Sequence, residues 1–292
     1  MNRLPRGLSF AALCGVSVAL WVRPLLDTFT LALGDDKYTH IILILPVTAA
    51  LIAQDWRDAG SDPNQWNPGV VIMILSVLVA GAARWGPGGD SDLRLAIEMV
   101  ALVAWWIASF VLCFGRAALK VFGFPLFFLL WMVPVPRIVL DRIVAGLQFG
   151  SELAAQLLFV MIRVPVSRDG TTLLIPGLDI DVTPECSSIR SSLMLVVTTM
   201  VVAHLLLRTP WRKALLVALA IPLSVAKNGL RIVTIGMLGI RVDPSFLTGR
   251  LHRHGGIVFF LIALAVIFLL LWILRRGERM RPPAPQLSPE RH

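Results

Sequence analysis

Residues 256–274 read GIVFFLIALAVIFLLLWIL, an unbroken apolar run followed by Arg275 and Arg276 and preceded by Arg250, His252, Arg253 and His254. The run carries no charge, and its length matches the roughly 20 residues a helix needs to cross the hydrocarbon core of a bilayer. A helix in a soluble domain keeps a polar face toward water, and this run has none. Working outward, similar runs are predicted near 8–33, 39–54, 69–84, 93–114, 118–133, 187–207 and 211–239. Composition agrees. Of 292 residues, 57% are hydrophobic and only 15% charged, with a mean hydropathy of +0.78, whereas a soluble domain carries about 25% charged residues. The reading is an all-α, polytopic transmembrane bundle of about eight spans, and an ordinary soluble enzyme is excluded.

The net charge of +9 does not indicate a nucleic-acid partner, because many Lys and Arg residues sit in short segments between apolar runs. Arg3, Arg6, Arg57, Arg116, Lys120, Arg208, Arg212, Lys213 and the stretch from Arg275 to Arg281 alternate onto one side. That pattern places both termini in the cytoplasm. No small-x-small cleavage site precedes Arg23 and Pro24, so the first run reads as an uncleaved helix, and Leu13 before Cys14 does not fit an acylation site. The expected organisation is one integral-membrane domain, 1–276, with a Pro-rich, disordered cytoplasmic tail, 277–292.

The opposite side receives Asp35, Asp36, Asp90, Asp92 and two polar segments, 163–186 and 240–255. Residues 137–164 have apolar spacing of a helix interrupted by Asp141, Arg142, Gln148, Ser151, Glu152 and Gln156. An amphipathic or re-entrant helix lying against the outer face is expected there; a crossing at this point would carry Cys186 to the cytoplasm. Residues 168–185 form two alternating runs around Pro176-Gly177, which reads as a small β-hairpin.

Three constellations carry chemistry. Cys186 opens a helix that continues Ser187-Ser188-Ile189-Arg190, where free backbone N–H groups and the helix dipole favour a thiolate, and Arg190 adds to that field. Arg231, in Lys227-Asn228-Gly229-Leu230-Arg231, lies within an apolar helix. An intramembrane guanidinium costs about 2.5–3.5 kcal/mol on insertion scales and marks a functional position. It holds an oxyanion or carboxylate but cannot serve as a base. Lys227 reads as a residue that snorkels to the interface. The third, Arg250-Leu251-His252-Arg253-His254-Gly255-Gly256, holds two of the five histidines, the side chain suited to moving a proton near neutral pH. Each also has a bland reading as an interfacial small residue, a paired cation or a lipid-contacting cluster. Together they supply a thiolate, a proton carrier and a fixed cation. Three widely spaced cysteines support neither a disulfide framework nor a zinc site. No metal cluster or phosphate-binding glycine loop is apparent, so no cofactor is expected.

At these residues the chain resembles the exosortase/archaeosortase family of multi-pass membrane cysteine transpeptidases. The family's Cys-Ser-Gly-Ile/Leu-Arg block is similar to Cys186-Ser187-Ser188-Ile189-Arg190, its Asn-x-x-Arg block to Asn228-Gly229-Leu230-Arg231, and its His-x-x-x-Gly block to His252-Arg253-His254-Gly255-Gly256. Upstream, Tyr38-Thr39-His40 resembles the family's Tyr-Ser-His at the start of its second helix, and Pro134-Val135-Pro136 before an amphipathic helix is similar too. Ser188 departs from the usual glycine. His252 matches the family histidine by its spacing to Gly256, with His254 the alternative proton carrier.

The resemblance implies a thiol protease or transpeptidase acting at the outer face of the cytoplasmic (inner) membrane, in which Cys186, Arg231 and His252 are catalytic and Ser187, Arg190, Asn228 and His254 supporting. Its partners would be membrane lipids and exported proteins bearing a PEP-CTERM-like signal, meaning a short motif, a transmembrane helix and a basic tail. Arg163, Arg168, Arg250 and Arg253 are candidates for binding an acidic motif. Hydrolysis and transfer to an envelope acceptor are not separated by the residues, and the oligomeric state is not indicated. The reading from another class is a non-catalytic membrane component of an exopolysaccharide export or assembly system, which would tolerate Cys186→Ser.

Overall fold

The computed structural model describes residues 3–56, 68–86, 90–170, 172–176, 178–181, 189–243 and 256–279. All eight apolar runs fold as helices, and with them 137–161, which gives an all-α membrane bundle carrying one small sheet. Six described helices are long and apolar enough to cross a bilayer, and a bent pair makes a seventh. Two further apolar helices, Gly69–Trp85 and Ala118–Met132, are shorter. The chain divides into two compact units, Met1–Arg142 and Ile143–His292.

The first unit contains α1 (Arg3–Leu20), α2 (Val22–Gly34), α3 (Ile41–Asp55), α4 (Pro68–Trp85), α5 (Ser91–Phe114) and α6 (Ala118–Phe128). The run expected as one span at 8–33 is two helices bent by 77°. Pro24 is the cause: it has no N–H to offer the carbonyl of Leu20, four residues back, and its ring crowds that same carbonyl. The ladder of α1 therefore stops at Leu20. α5 is the most buried span of this unit, with Met99, Leu102 and Phe110 fully enclosed. Trp105 donates its indole N–H to the Leu13 carbonyl (3.1 Å) and Trp106 to Ser17 Oγ (2.7 Å), which ties α1 to α5. Gly69 lets α4 press against α5, where a Cβ would lie 2.9 Å from the Ala108 carbonyl oxygen. Glu98, buried on α5, meets Arg84 of α4 at 3.1 Å, so each charge has a partner in an apolar pair of helices.

Two of the upstream motifs meet. The Tyr38 hydroxyl donates to the Val135 carbonyl at 2.8 Å, joining the turn after α2 to the Pro134-Val135-Pro136 segment. Beside it Arg137 pairs with Asp92 at 2.9 Å. Asp35, Lys37, Tyr38, Asp92, Arg137 and Asp141 line a polar cleft of about 430 Å³, which puts Asp35 and Asp92 at one end of this unit.

α7 (Arg137–Met161) carries the boundary between the units. In the second unit follow β1 (Ser167–Asp169), β2 (Thr172–Ile175), β3 (Leu178–Asp181), α8 (Ile189–Leu206), α9 (Pro210–Arg241) and α10 (Gly256–Arg279). The strands form an antiparallel meander in the order β1-β2-β3, with Arg168 opposite Leu173 and Leu173 opposite Ile180. The expected hairpin is β2–β3; β1 is additional, and Gly170 at φ +60° supplies the left-handed residue of the tight connection that adds it. α8 and α9 are joined by only three residues, so they run antiparallel. Leu195, Leu216, Ala220, Ala263, Ile267 and Leu271 pack them and α10 into one apolar cluster. Glu278 accepts from the backbone N–H groups of Arg208 and Thr209 at 3.1 and 2.8 Å, and Arg212 donates to the Leu274 carbonyl at 2.7 Å. The last turn of α10 thus closes against the α8–α9 connection. α10 continues through Gly277 and Glu278, where the tail was expected to begin; residues 280–292 lie outside the described residues.

α7 occupies the stretch where an amphipathic or re-entrant helix is expected at the outer face. It is a single helix of 25 residues that satisfies the length and hydropathy of a span. It also runs beside α9 in the same direction. A Cβ on Gly150 would lie 3.1 Å from Val225, and one on Gly229 would lie 2.7 Å from the Ala154 Cβ and 3.0 Å from the Ala155 nitrogen. The contact advances four residues along both helices at once, which only near-parallel axes allow. Two of the polar residues that suggested a water-facing stripe, Ser151 and Glu152, turn inward, whereas Asp141 and Arg142 are exposed. Ser151 is buried and donates to the Leu147 carbonyl, and Glu152, 2% exposed, meets Arg168 of β1.

Candidate active site

The order of elements in the second unit brings three chain segments to one end. The α8–α9 connection and the end of α10 define the opposite end, where Arg208, Arg212, Lys213, Arg275 and Arg276 gather. Consequently the start of α8, the Lys227–Arg231 stretch of α9 and the start of α10 lie away from that basic end, and α9 continues beyond them to Arg241. The sheet joins them: Leu173 and Ile175 of β2 pack with Phe159 of α7 and with Ile232 and Val233 of α9, the residues directly after Arg231. β2 is amphipathic at this contact, alternating half-buried and buried positions along its length, as a strand laid on an apolar surface must.

Arg231 is half-buried on α9, ten residues before the helix ends at Arg241, or about 15 Å at 1.5 Å per residue. Asn228, three residues earlier, is fully buried. Positions three and four apart share a helix face, so Asn228, Arg231 and Lys227 form one polar stripe on a helix whose other residues here are apolar. Lys227 does not snorkel, as the sequence suggested. It is 5% exposed, and its ammonium donates to Ser191 Oγ in the first turn of α8. The physical reason is proximity: α8 offers a hydroxyl within the bundle, so the charge has no need to reach the interface. Because Ser191 is level with Lys227, the first turn of α8 stands beside the Lys227–Arg231 turn of α9. Arg190, also in that first turn, is exposed.

Cys186, Ser187, Ser188, Arg250, His252, Arg253 and His254 lie outside the described residues. Three positions of sequence separate Cys186 from Ile189, and four separate His252 from Gly256. Ile189 and Gly256, the first described residues after them, open α8 and α10.

Gly229 sits inside the Asn-Gly-Leu-Arg block and is the point where α7 and α9 touch. Gly229→Ala must push Ala154 away, and the overpacking is expected to cost roughly 1–3 kcal/mol despite alanine's better helix propensity. Thermal unfolding in detergent should show the loss, and restoring space with Ala154→Gly in the same chain should recover most of it.

Two of the arginines expected to bind substrate, Arg163 and Arg168, are among the described residues. Arg163 ends α7 in the left-handed conformation at φ +60°; the Val164 N–H bonds the Phe159 carbonyl at 2.9 Å, the six-to-one bond of a helix C-cap usually closed by glycine. Its side chain is exposed. Arg168 is engaged within the protein: it meets Glu152 at 2.9 Å, donates Nε–H to the Gly170 carbonyl at 2.8 Å and stacks over Phe149 at 5.1 Å. The sequence reading missed this clamp and the Lys227–Ser191 contact. A signal for the first was present, since Gly150, Ala154 and Ala155 flank Ser151 and Glu152 with small residues that invite another helix.

The fold and these residues define an integral-membrane helix bundle whose C-terminal unit carries a polar, cation-bearing turn on α9. The chain belongs to the transmembrane exosortase family (Exosortase_EpsH), whose profile matches residues 21–269, a range that contains every segment of the site. No curated protein and no solved structure matches it.

Proposed function

We propose that this exosortase is a membrane cysteine transpeptidase that cleaves the C-terminal sorting signal of exported proteins and passes the new C-terminus to an envelope acceptor. The observation that carries the reading is the convergence of the start of α8, the Asn228–Arg231 turn and the start of α10 at one end of the second unit. Those are the segments that lead to or hold the Cys, Arg and His of the family pattern.

In the first step the Cys186 thiolate attacks the scissile carbonyl carbon, and Arg231 stabilises the resulting oxyanion. The C–N bond then breaks, His252 gives its proton to the departing amine, and an acyl thioester remains on Cys186. In the second step an acceptor amine attacks the thioester. His252 takes its proton, the C–S bond breaks and the thiolate is regenerated. Water in place of the amine makes the same sequence a hydrolysis.

The site belongs on the outer face of the cytoplasmic membrane. Arg208, Arg212, Lys213, Arg275 and Arg276 mark the other end as cytoplasmic.

The test is the C-terminal mass of envelope proteins from cells with and without the chain. A species that keeps a hydrophobic tail only in cells lacking the chain identifies a substrate, and the mass added to its processed terminus identifies the acceptor. Identical C-termini in the two strains, with candidate substrates expressed, would favour the non-catalytic export component.

A further inference from the structure

The Lys227–Ser191 contact has a role that packing alone does not require. A lysine ammonium within an apolar helix pair is costly unless paired, and the like charge of Arg231 one turn along the same helix adds repulsion. An alanine or leucine at 227 would fill the α8–α9 interface at lower cost. What the lysine adds is a directional tie. It joins the described start of α8 to the turn of α9 that holds Asn228 and Arg231.

We infer that Lys227 is a positioning residue, which through Ser191 holds the start of α8 in register with the Arg231 guanidinium. The inference rests on the catalytic reading above. It deepens that reading by naming a residue that touches neither the thiol nor the scissile bond and acts by setting the distance between the chain leading into α8 and the cation on α9.

The experiment uses the full chain in lipid nanodiscs with Cys14→Ala and Cys113→Ala, so that Cys186 is the remaining thiol, and measures its alkylation rate by iodoacetamide. Arg231→Gln should slow alkylation about tenfold, because the thiolate loses its cation. Ser191→Ala and Lys227→Met should each slow it three- to tenfold, and the double variant should be no slower than either. Lys227→Arg, which keeps a donor of similar reach, should stay within about threefold of the parent chain. In the Arg231→Gln background Lys227→Met should have no further effect. A purely structural loosening of the bundle would instead slow alkylation by the same factor whether or not Arg231 is present.

Should Arg231→Gln slow the reaction while Ser191→Ala and Lys227→Met leave it unchanged, or act additively, the positioning role is overturned and the catalytic reading stands. If Arg231→Gln itself has no effect on the thiol, the shared site of Cys186 and Arg231 is overturned and this inference with it. Ser191→Ala removes a single hydroxyl and keeps the test decisive where Lys227→Met compromises folding.

Discussion

Cys186→Ser is expected to lower processing of a sorting-signal substrate by about 10³-fold or more, the scale on which loss of a covalent nucleophile acts. Serine is close to cysteine in size, and packing at the start of α8 should survive the change, so the loss would report chemistry. A hydroxyl is far less acidic than a thiol, and a helix N-terminus with a neighbouring guanidinium that generates a thiolate does not generate an alkoxide. Cys186→Ala should be equally inactive, since neither variant forms the acyl thioester. The measurement is single-turnover cleavage by the purified chain, with trapping of the thioester by hydroxylamine in the parent protein. Cleavage by Cys186→Ser within tenfold of the parent would remove cysteine nucleophilic catalysis and favour the export-component reading. Arg231→Ala should cost less, about 10²–10³-fold, the cost of one oxyanion contact.

The second large effect is on stability and falls on Arg168. The sequence placed this arginine in a substrate-binding surround, whereas the structure joins it to the carboxylate of Glu152, which is 2% exposed, and to the ring of Phe149. Arg168→Met leaves the buried carboxylate without its cation, and removal of one partner from such a pair costs 3–5 kcal/mol where both are enclosed. The Arg168 side chain is 35% exposed, so water can replace part of what it supplies, and roughly 3 kcal/mol is expected. Glu152→Leu with Arg168→Met should recover most of that, because replacing both charges by apolar groups removes the desolvation cost as well as the attraction. Thermal unfolding of the four members of this cycle in detergent measures the coupling. Equal stability of the single and double variants would show that the pair does not hold the sheet to α7.

The membrane class and the position of nearly every helix were legible in the sequence because the bilayer imposes a local requirement. Each crossing segment must be apolar over its own length and satisfy its own backbone, so a run such as 256–274 declares itself without reference to any partner. The motif residues were legible for a related reason: Arg231 within an apolar stretch is conspicuous wherever that stretch goes. The 77° bend at Trp21 was also written locally, in the missing N–H of Pro24, but was passed over because hydropathy does not register backbone geometry.

Other features depended on the partner surface. Whether Ser151 and Glu152 face water or protein is undecidable from the period of α7, because an inward polar stripe and an outward one have the same spacing. Gly229 against Ala154, and Arg168 across from Glu152, decide it. Lys227 likewise reads as a snorkelling residue until Ser191 is seen beside it. Composition and periodicity by themselves determined that this chain is a membrane bundle, and its motif blocks supplied the Cys, Arg and His pattern. Only the tertiary structure decided which polar groups are paired inside it and in which direction α7 runs, since both depend on distances between residues far apart along the chain.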